Sequence, residues 1–294
     1  MDLGRIGVWS GGLRNGERGA ITAAAAELEA LGYGTLWFPG GQHAGLADLC
    51  RAMLEATQRV VVATGIVNIW THPPEAVAAE HHALQQAYPG RFLLGLGVSH
   101  QHVVERAGLH YQRPLQQMRA YLDALDSAPT PVPKDERLLA ALGPRMLELA
   151  GQRTAGTHPY FTPPEHTQQA RQALGPQAIV APEQMVVLES DAAAARALAR
   201  PAIERYLQAP NYTNNLLRLG FTEVDIQDGG SDRLVDRIVA WGDEQTVLGR
   251  VREHLEAGAD HVCIQVLDGS APGSLPLDGW RRLAAAWRAG VPAT

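Results

Sequence analysis

Between residues 60 and 97 the chain passes from a β-branched run through a polar, aromatic turn and an amphipathic helix into a second apolar run. That order, VVVATGIVNIWTHPPEAVAAEHHALQQAYPGRFLLGLG, has the spacing of a βαβ unit whose strands lie parallel in one sheet. Positions 60–66 are apolar almost throughout, as a strand buried on both faces requires. Pro73 and Pro74 open the helix, where a missing N–H costs nothing. The first strand ends on Asn68, Trp70, Thr71 and His72, polar and aromatic groups where α/β proteins build their sites.

The alternation recurs along the whole chain. Strand patterns fall at 5–9, 35–38, 60–66, 92–97, 138–142, 156–159, 184–188 and 261–265. Helical periodicity falls at 18–31, 47–57, 74–88, 115–127, 145–153, 164–174, 191–206 and 246–257. Eight β/α alternations without a break in composition predict an α/β chain forming one (β/α)8 TIM barrel over residues 1–294. A doubly wound sheet is the alternative architecture. The segment 128–137 reads as a proline-rich surface loop. The segment 208–231, with Tyr212, Asn214, Asn215, Phe221, Gly229 and Gly230, reads as a lid or partner-contact insertion.

Several function classes fall away on composition. A net charge of −6 with interspersed signs leaves no basic stripe for nucleic acid. Without a long apolar run or a secretory leader pattern, the expectation is a cytoplasmic chain with no membrane span. Lys134, the only lysine, lies in the stretch PTPVPKDER and is a poor candidate for Schiff-base chemistry. Cys50 and Cys263 lack metal or redox spacing and read as buried free thiols.

In a barrel the chemistry sits at the C-terminal ends of the strands. Those positions hold Trp9 and Ser10, Pro39 to Gly41, Asn68 to His72, Ser99 and His100, Gly143 to Arg145, His158, Tyr160 and Gln265. No opposed carboxylate pair for glycoside hydrolysis stands out. The adjacent His81 and His82 point to two sides of a helix and no HExxH is present, so no metal is expected. At Leu142, Gly143, Pro144 and Arg145 a strand gives way to a helix whose free N–H groups suit an anion, although an ordinary strand–helix turn reads the same way. Gly95-x-Gly97 lacks the third glycine of a dinucleotide fingerprint and is read as close packing.

Five blocks carry a family resemblance: ATGIVNIWTHPPE at 63–75, PGRFLLGLGVSH at 89–100, ALGPRMLELAGQRTAGTHPYF at 141–161, APNYTNNLLRLGF at 209–221 and GGSDRLVDRIVAWGD at 229–243. With them the chain resembles the luciferase-like flavin and deazaflavin oxidoreductases, and within them the branch that uses coenzyme F420. The resemblance implies a bacterial-luciferase-like barrel holding a ring system at its mouth, with FMN as the alternative cofactor. It implies a cis peptide at Gly65–Ile66 behind the ring and Asn68 at the ring's polar edge. Gly97, Val98 and Ser99 would flank the ribityl or phosphate chain, and Gly143, Pro144 and Arg145 would hold the phosphate. Trp9, Trp70 and Tyr160 are expected to wall the substrate pocket, with His72 and His158 nearby.

The chain departs from the family pattern after the second strand. Where relatives carry an acid or histidine it has Phe38, Pro39, Gly40 and Gly41, and His43 is out of register. His100, after the fourth strand pattern, is the expected substitute proton donor. The implied activity is hydride transfer between F420 and a small organic substrate bearing a C=C, C=O, C=N or alcohol group, in a homodimer. The alternatives are an FMN-dependent monooxygenase and a non-catalytic flavin-binding member.

Overall fold

The computed structural model describes residues 1–271 and 273–290. Its strands are β1 (Ile6–Trp9), β2 (Thr35–Phe38), β3 (Val61–Thr64), β4 (Val67–Asn68), β5 (Phe92–Gly97), β6 (Arg137–Leu139), β7 (Gly156–Thr157), β8 (Ile179–Val180), β9 (Glu183–Val187), β10 (Val239–Trp241) and β11 (Val262–Val266). All their pairings are parallel. The sheet runs β10-β9-β11-β1-β2-β3-β5-β6-β7-β8, with β4 joined to β5.

Two strand positions are each built from two pieces. β4 continues β3 beyond the Gly65–Ile66 bond, which is cis. β9 continues β8 beyond Ala181 and Pro182, and the backbone bonds Ala181 N to Thr157 O (2.9 Å), Glu183 N to Pro159 O (2.9 Å) and Cys263 N to Pro182 O (3.0 Å) carry the pairing across the break. β8 therefore closes the ring from β7 while β9 closes it to β11. The result is an eight-position (β/α) barrel, and each position coincides with one of the strand patterns read from the sequence. β10 is extra and pairs with the outer edge of β9.

Packing falls into three layers of contact. Inside the ring, Trp9, Trp37, Ala63, Leu93, Leu138, Ala181 and Cys263 form one cluster. The larger core lies between strands and helices and includes Leu28, Met53, Leu84, Leu122, Val251 and Trp280. Burying one such large apolar side chain contributes about 1.5–3 kcal/mol. Gly95 packs so closely against β3 that a Cβ there would meet Thr64 O at 1.9 Å, which supports reading this glycine as a packing requirement.

The insertion differs from the expected loop. Residues 208–231 contain the helices Pro210–Arg218 and Glu223–Ile226. Pro210 occupies a first turn, and Tyr212 and Leu216, four apart, bury one face. They join Phe161, Met185, Tyr206 and Phe221 in a third cluster, so this segment is packed onto the barrel by its apolar face. The helix Leu277–Gly290, unread in the sequence, completes the last β/α unit by burying Trp280, Leu283 and Ala284. Among the described residues no helix is long and apolar enough to cross a membrane.

Candidate active site

The ends of β1, β3 and β7 meet in a small aromatic cradle. Trp9 donates its indole N–H to Gly65 O at 3.1 Å. A Cβ on Gly65 would lie 2.7 Å from Trp9 Nε1 and 2.8 Å from His158 Nε2, so only glycine fits between the two rings. His158 is buried, stacks on Trp37 at 4.3 Å and holds Ala181 O through Nδ1 at 2.8 Å. Burial lowers its pKa to about 4. It props the cradle from inside the barrel and does not reach the rim.

His72 is likewise buried and turned onto its own loop. Its Nδ1 lies 3.0 Å from Asn68 O, its own carbonyl accepts from the Tyr121 hydroxyl at 2.9 Å, and burial lowers its pKa to about 4. Asn68 Oδ1 accepts from Trp70 N at 3.1 Å, which fixes the turn after β4. Trp70 donates to Val98 O at 2.8 Å and so ties this turn to the end of β5. The expected aromatic wall is divided: Trp9 and Tyr160 touch, with ring centroids 5.2 Å apart, whereas Trp70 packs on Tyr111 at 5.4 Å.

Ser99 has φ of 56°, a left-handed conformation uncommon for a residue with a side chain. Such positions cost on the order of 1–3 kcal/mol and concentrate at binding and active sites. His100 follows it and caps the helix Gln101–Arg106. Its Nδ1 lies 3.2 Å from Asn211 Oδ1, and its ring is 5.2 Å from Tyr212 and 5.7 Å from His102. Burial lowers its pKa, the Asn211 contact opposing the shift. His100 thus sits where the end of β5 meets the inserted helix.

A hydrogen-bonded chain that the sequence reading missed runs beside it. Arg205 donates to the Tyr206 hydroxyl at 2.6 Å, the Tyr206 and Tyr160 hydroxyls are 2.8 Å apart, and Tyr160 donates to Gln265 Oε1 at 2.8 Å. With the Tyr160 proton on Gln265, Tyr206 is the donor between the tyrosines. Glu183, at the start of β9, is fully enclosed and burial pushes its carboxyl up to about 8. Its Oε2 accepts from Phe161 N at 3.3 Å and its Oε1 has no partner among the described residues. An acid inside an otherwise apolar strand pattern was the available signal for it.

The 143–145 turn starts the helix Pro144–Arg153, with Gly143 as its N-cap. Met146 N and Leu147 N bond Gly143 O at 3.0 Å, while Gly143 N and Arg145 N take no acceptor among the described residues. Free amides at a helix start, with Arg145 exposed beside them, can hold an anion. Gly97, whose Cβ would come within 2.7 Å of Ile66, Val98 and Ser99 line the neighbouring strand end. The arrangement suits a flat ring over the cradle joined by a short chain to a phosphate.

The family model described as luciferase-like monooxygenase matches residues 4–261. A Mycobacterium tuberculosis protein named as a coenzyme F420-dependent oxidoreductase is 33% identical over 113 residues, which span 38% of this chain and 31% of that protein. An F420-dependent secondary alcohol dehydrogenase solved with an F420–acetone adduct superimposes with a TM-score of 0.71 at 16% identity, covering 99% of both chains. The F420-dependent tetrahydromethanopterin reductase of Methanopyrus kandleri gives 0.71 at 14% identity, covering 97% of this chain and 98% of that one. An FMN-bound Baeyer–Villiger monooxygenase component of Pseudomonas putida gives 0.67 at 15%, covering 97% and 96%. At these identities the structural likeness is one of fold.

Proposed function

The chain belongs to the luciferase-like monooxygenase family, and from that premise we propose that it is an F420-dependent oxidoreductase acting on a small organic substrate. The observation that carries this reading is the layout of one barrel end. The Trp9–Gly65 cradle, the Ser99 strand end and the open helix start at 143–145 suit a ring, its linking chain and its phosphate respectively. The F420-dependent naming of the Mycobacterium relative favours the deazaflavin over FMN. When bound, the deazaflavin supplies or accepts the hydride, and the protein contributes position and proton transfer.

In this reading Asn68 meets the polar edge of the ring and Gly97, Val98 and Ser99 border its side chain. Gly143, Pro144 and Arg145 hold the phosphate. Trp9 and Tyr160 form one wall of the substrate space, with Trp70 closing the side next to Val98. His100 exchanges the proton. Since burial keeps His100 neutral at pH 7, it acts as a base in alcohol oxidation, and in the reducing direction it must first take up a proton. Oxidation should therefore slow as pH falls through the lowered pKa, and reduction should quicken.

Spectral titration with F420, FMN and riboflavin tests the cofactor assignment. Tighter binding of F420 than FMN is expected. Arg145→Ala should weaken F420 by about tenfold to hundredfold, since a charge-assisted hydrogen bond contributes about 1.5–3 kcal/mol, and leave riboflavin unchanged. Preferential binding of FMN, with oxygen-dependent turnover, would favour the monooxygenase reading that the FMN-bound neighbour represents.

A further inference from the structure

The anion site at 143–145 has a second cation, and it comes from the inserted segment. A Cβ placed on Gly143 would find a single neighbour within 4 Å among the described residues, the Arg218 Nη2 at 3.6 Å. Arg218 therefore stands over the turn although it lies 75 positions beyond Gly143 in sequence. It lies in the last turn of the helix Pro210–Arg218, where a cation suits the helix dipole. The packing of Tyr212 and Leu216 against the barrel fixes that helix in place.

A second observation points to a ligand. Asn215, only 2% exposed, accepts from Arg218 Nη2 through Oδ1 at 3.3 Å, and its Nδ2 has no acceptor among the described residues. Buried donors left without acceptors are costly, and native structures seldom leave them so. Here the Arg218 guanidinium, held by the buried Asn215, stands over the turn that carries the free Gly143 and Arg145 N–H groups. Apart from the 3.3 Å contact of Arg218 with Asn215, these donors have no acceptor among the described residues, and a phosphate offers several acceptor oxygens with the matching charge.

We propose that Arg218 and Asn215 complete the phosphate site begun by the 143–145 turn, so that the segment between β9 and β10 selects phosphorylated over phosphate-free forms of the bound cofactor. This rests on the cofactor reading above but not on which ring is bound. The guanidinium contributes a fixed charge over Gly143, and Asn215 orients that charge while directing its own N–H toward the same space.

Isothermal titration with two ligand pairs tests it: F420 with the deazaflavin lacking phosphate and tail, and FMN with riboflavin. Wild-type protein should prefer the phosphorylated member of whichever pair it binds. Arg218→Ala should lower that member's affinity by about tenfold to hundredfold and leave the phosphate-free member unchanged. Arg218→Lys, keeping charge without the planar fork, should recover part of the loss. Thermal melting of both variants should match wild type, as Arg218 is exposed. Binding of the FMN pair in place of the F420 pair would overturn the cofactor assignment while still scoring Arg218. Equal loss for both members of a pair, no loss in Arg218→Ala, or no preference for phosphate in the wild type would overturn the proposal.

Discussion

Replacing His100 by alanine is expected to lower turnover by roughly 10²–10⁴-fold while leaving F420 affinity nearly intact, the range typical of a lost acid–base group. Hydride transfer to a carbonyl or activated alkene leaves negative charge, so a proton source must stand within about 2.6–3.2 Å of the accepting atom, directly or through one water. The glycines at 40 and 41 supply none. His72 and His158 are buried, held neutral by desolvation and engaged with backbone carbonyls. His100 is half-buried at the rim, with its Nδ1 facing Asn211. Full turnover in the alanine variant would remove it from the mechanism and direct attention to Tyr160, whose hydroxyl links the Arg205–Tyr206 pair to Gln265.

The barrel was legible because its strands are apolar runs at regular spacing, a signal that survives without tertiary contacts. The pieces β8 and β10, two and three residues long, carry no such period, and their pairing depends on partners distant in sequence. The helix Leu277–Gly290 was readable in principle from the spacing of Leu277, Trp280, Leu283 and Ala284. In 208–231 the asparagines and glycines mask Pro210 and the Tyr212–Leu216 spacing, so the two helices inside the insertion are not evident from sequence. The turn at 143–145 and the positions around Gly65 were legible through local residue types and the family resemblance. Arg218 over Gly143 and Tyr160 with Gln265 are juxtapositions of distant segments, which one chain's periodicity does not encode.

Acid should unfold this protein cooperatively before pH 4 is reached. Burial lowers the pKa of His72, His158, His166 and His261 to about 4 and that of His254 to about 3. In the unfolded chain each titrates near 6.5, about the ordinary histidine value. Below that pH the unfolded chain binds protons that the folded chain refuses, so stability is full above about 6.5 and declines as pH falls toward the folded values. Each ring is worth on the order of 3 kcal/mol by pH 4, and five together, about 15 kcal/mol, reach the top of the 5–15 kcal/mol range that holds a typical domain folded. Glu183 works in the opposite sense: its raised pKa means stability is lost as pH rises from about 4.5 to about 8. Circular dichroism across an acid titration, with calorimetric proton uptake near pH 5.5, should find a steep transition and several protons bound on unfolding. A native spectrum persisting through pH 4 would contradict the buried, neutral state of these histidines.

The most direct test of the proposed activity is anaerobic turnover. Reduced F420 is mixed with the protein and a panel of ketones, enones and imines, oxidised F420 with a panel of alcohols, and the deazaflavin absorbance is followed. Reoxidation of the reduced cofactor by at least one acceptor, or reduction of the oxidised cofactor by at least one alcohol, in the absence of oxygen is the predicted result. Turnover that occurs only with reduced FMN and oxygen, with F420 inert in both directions, would contradict it.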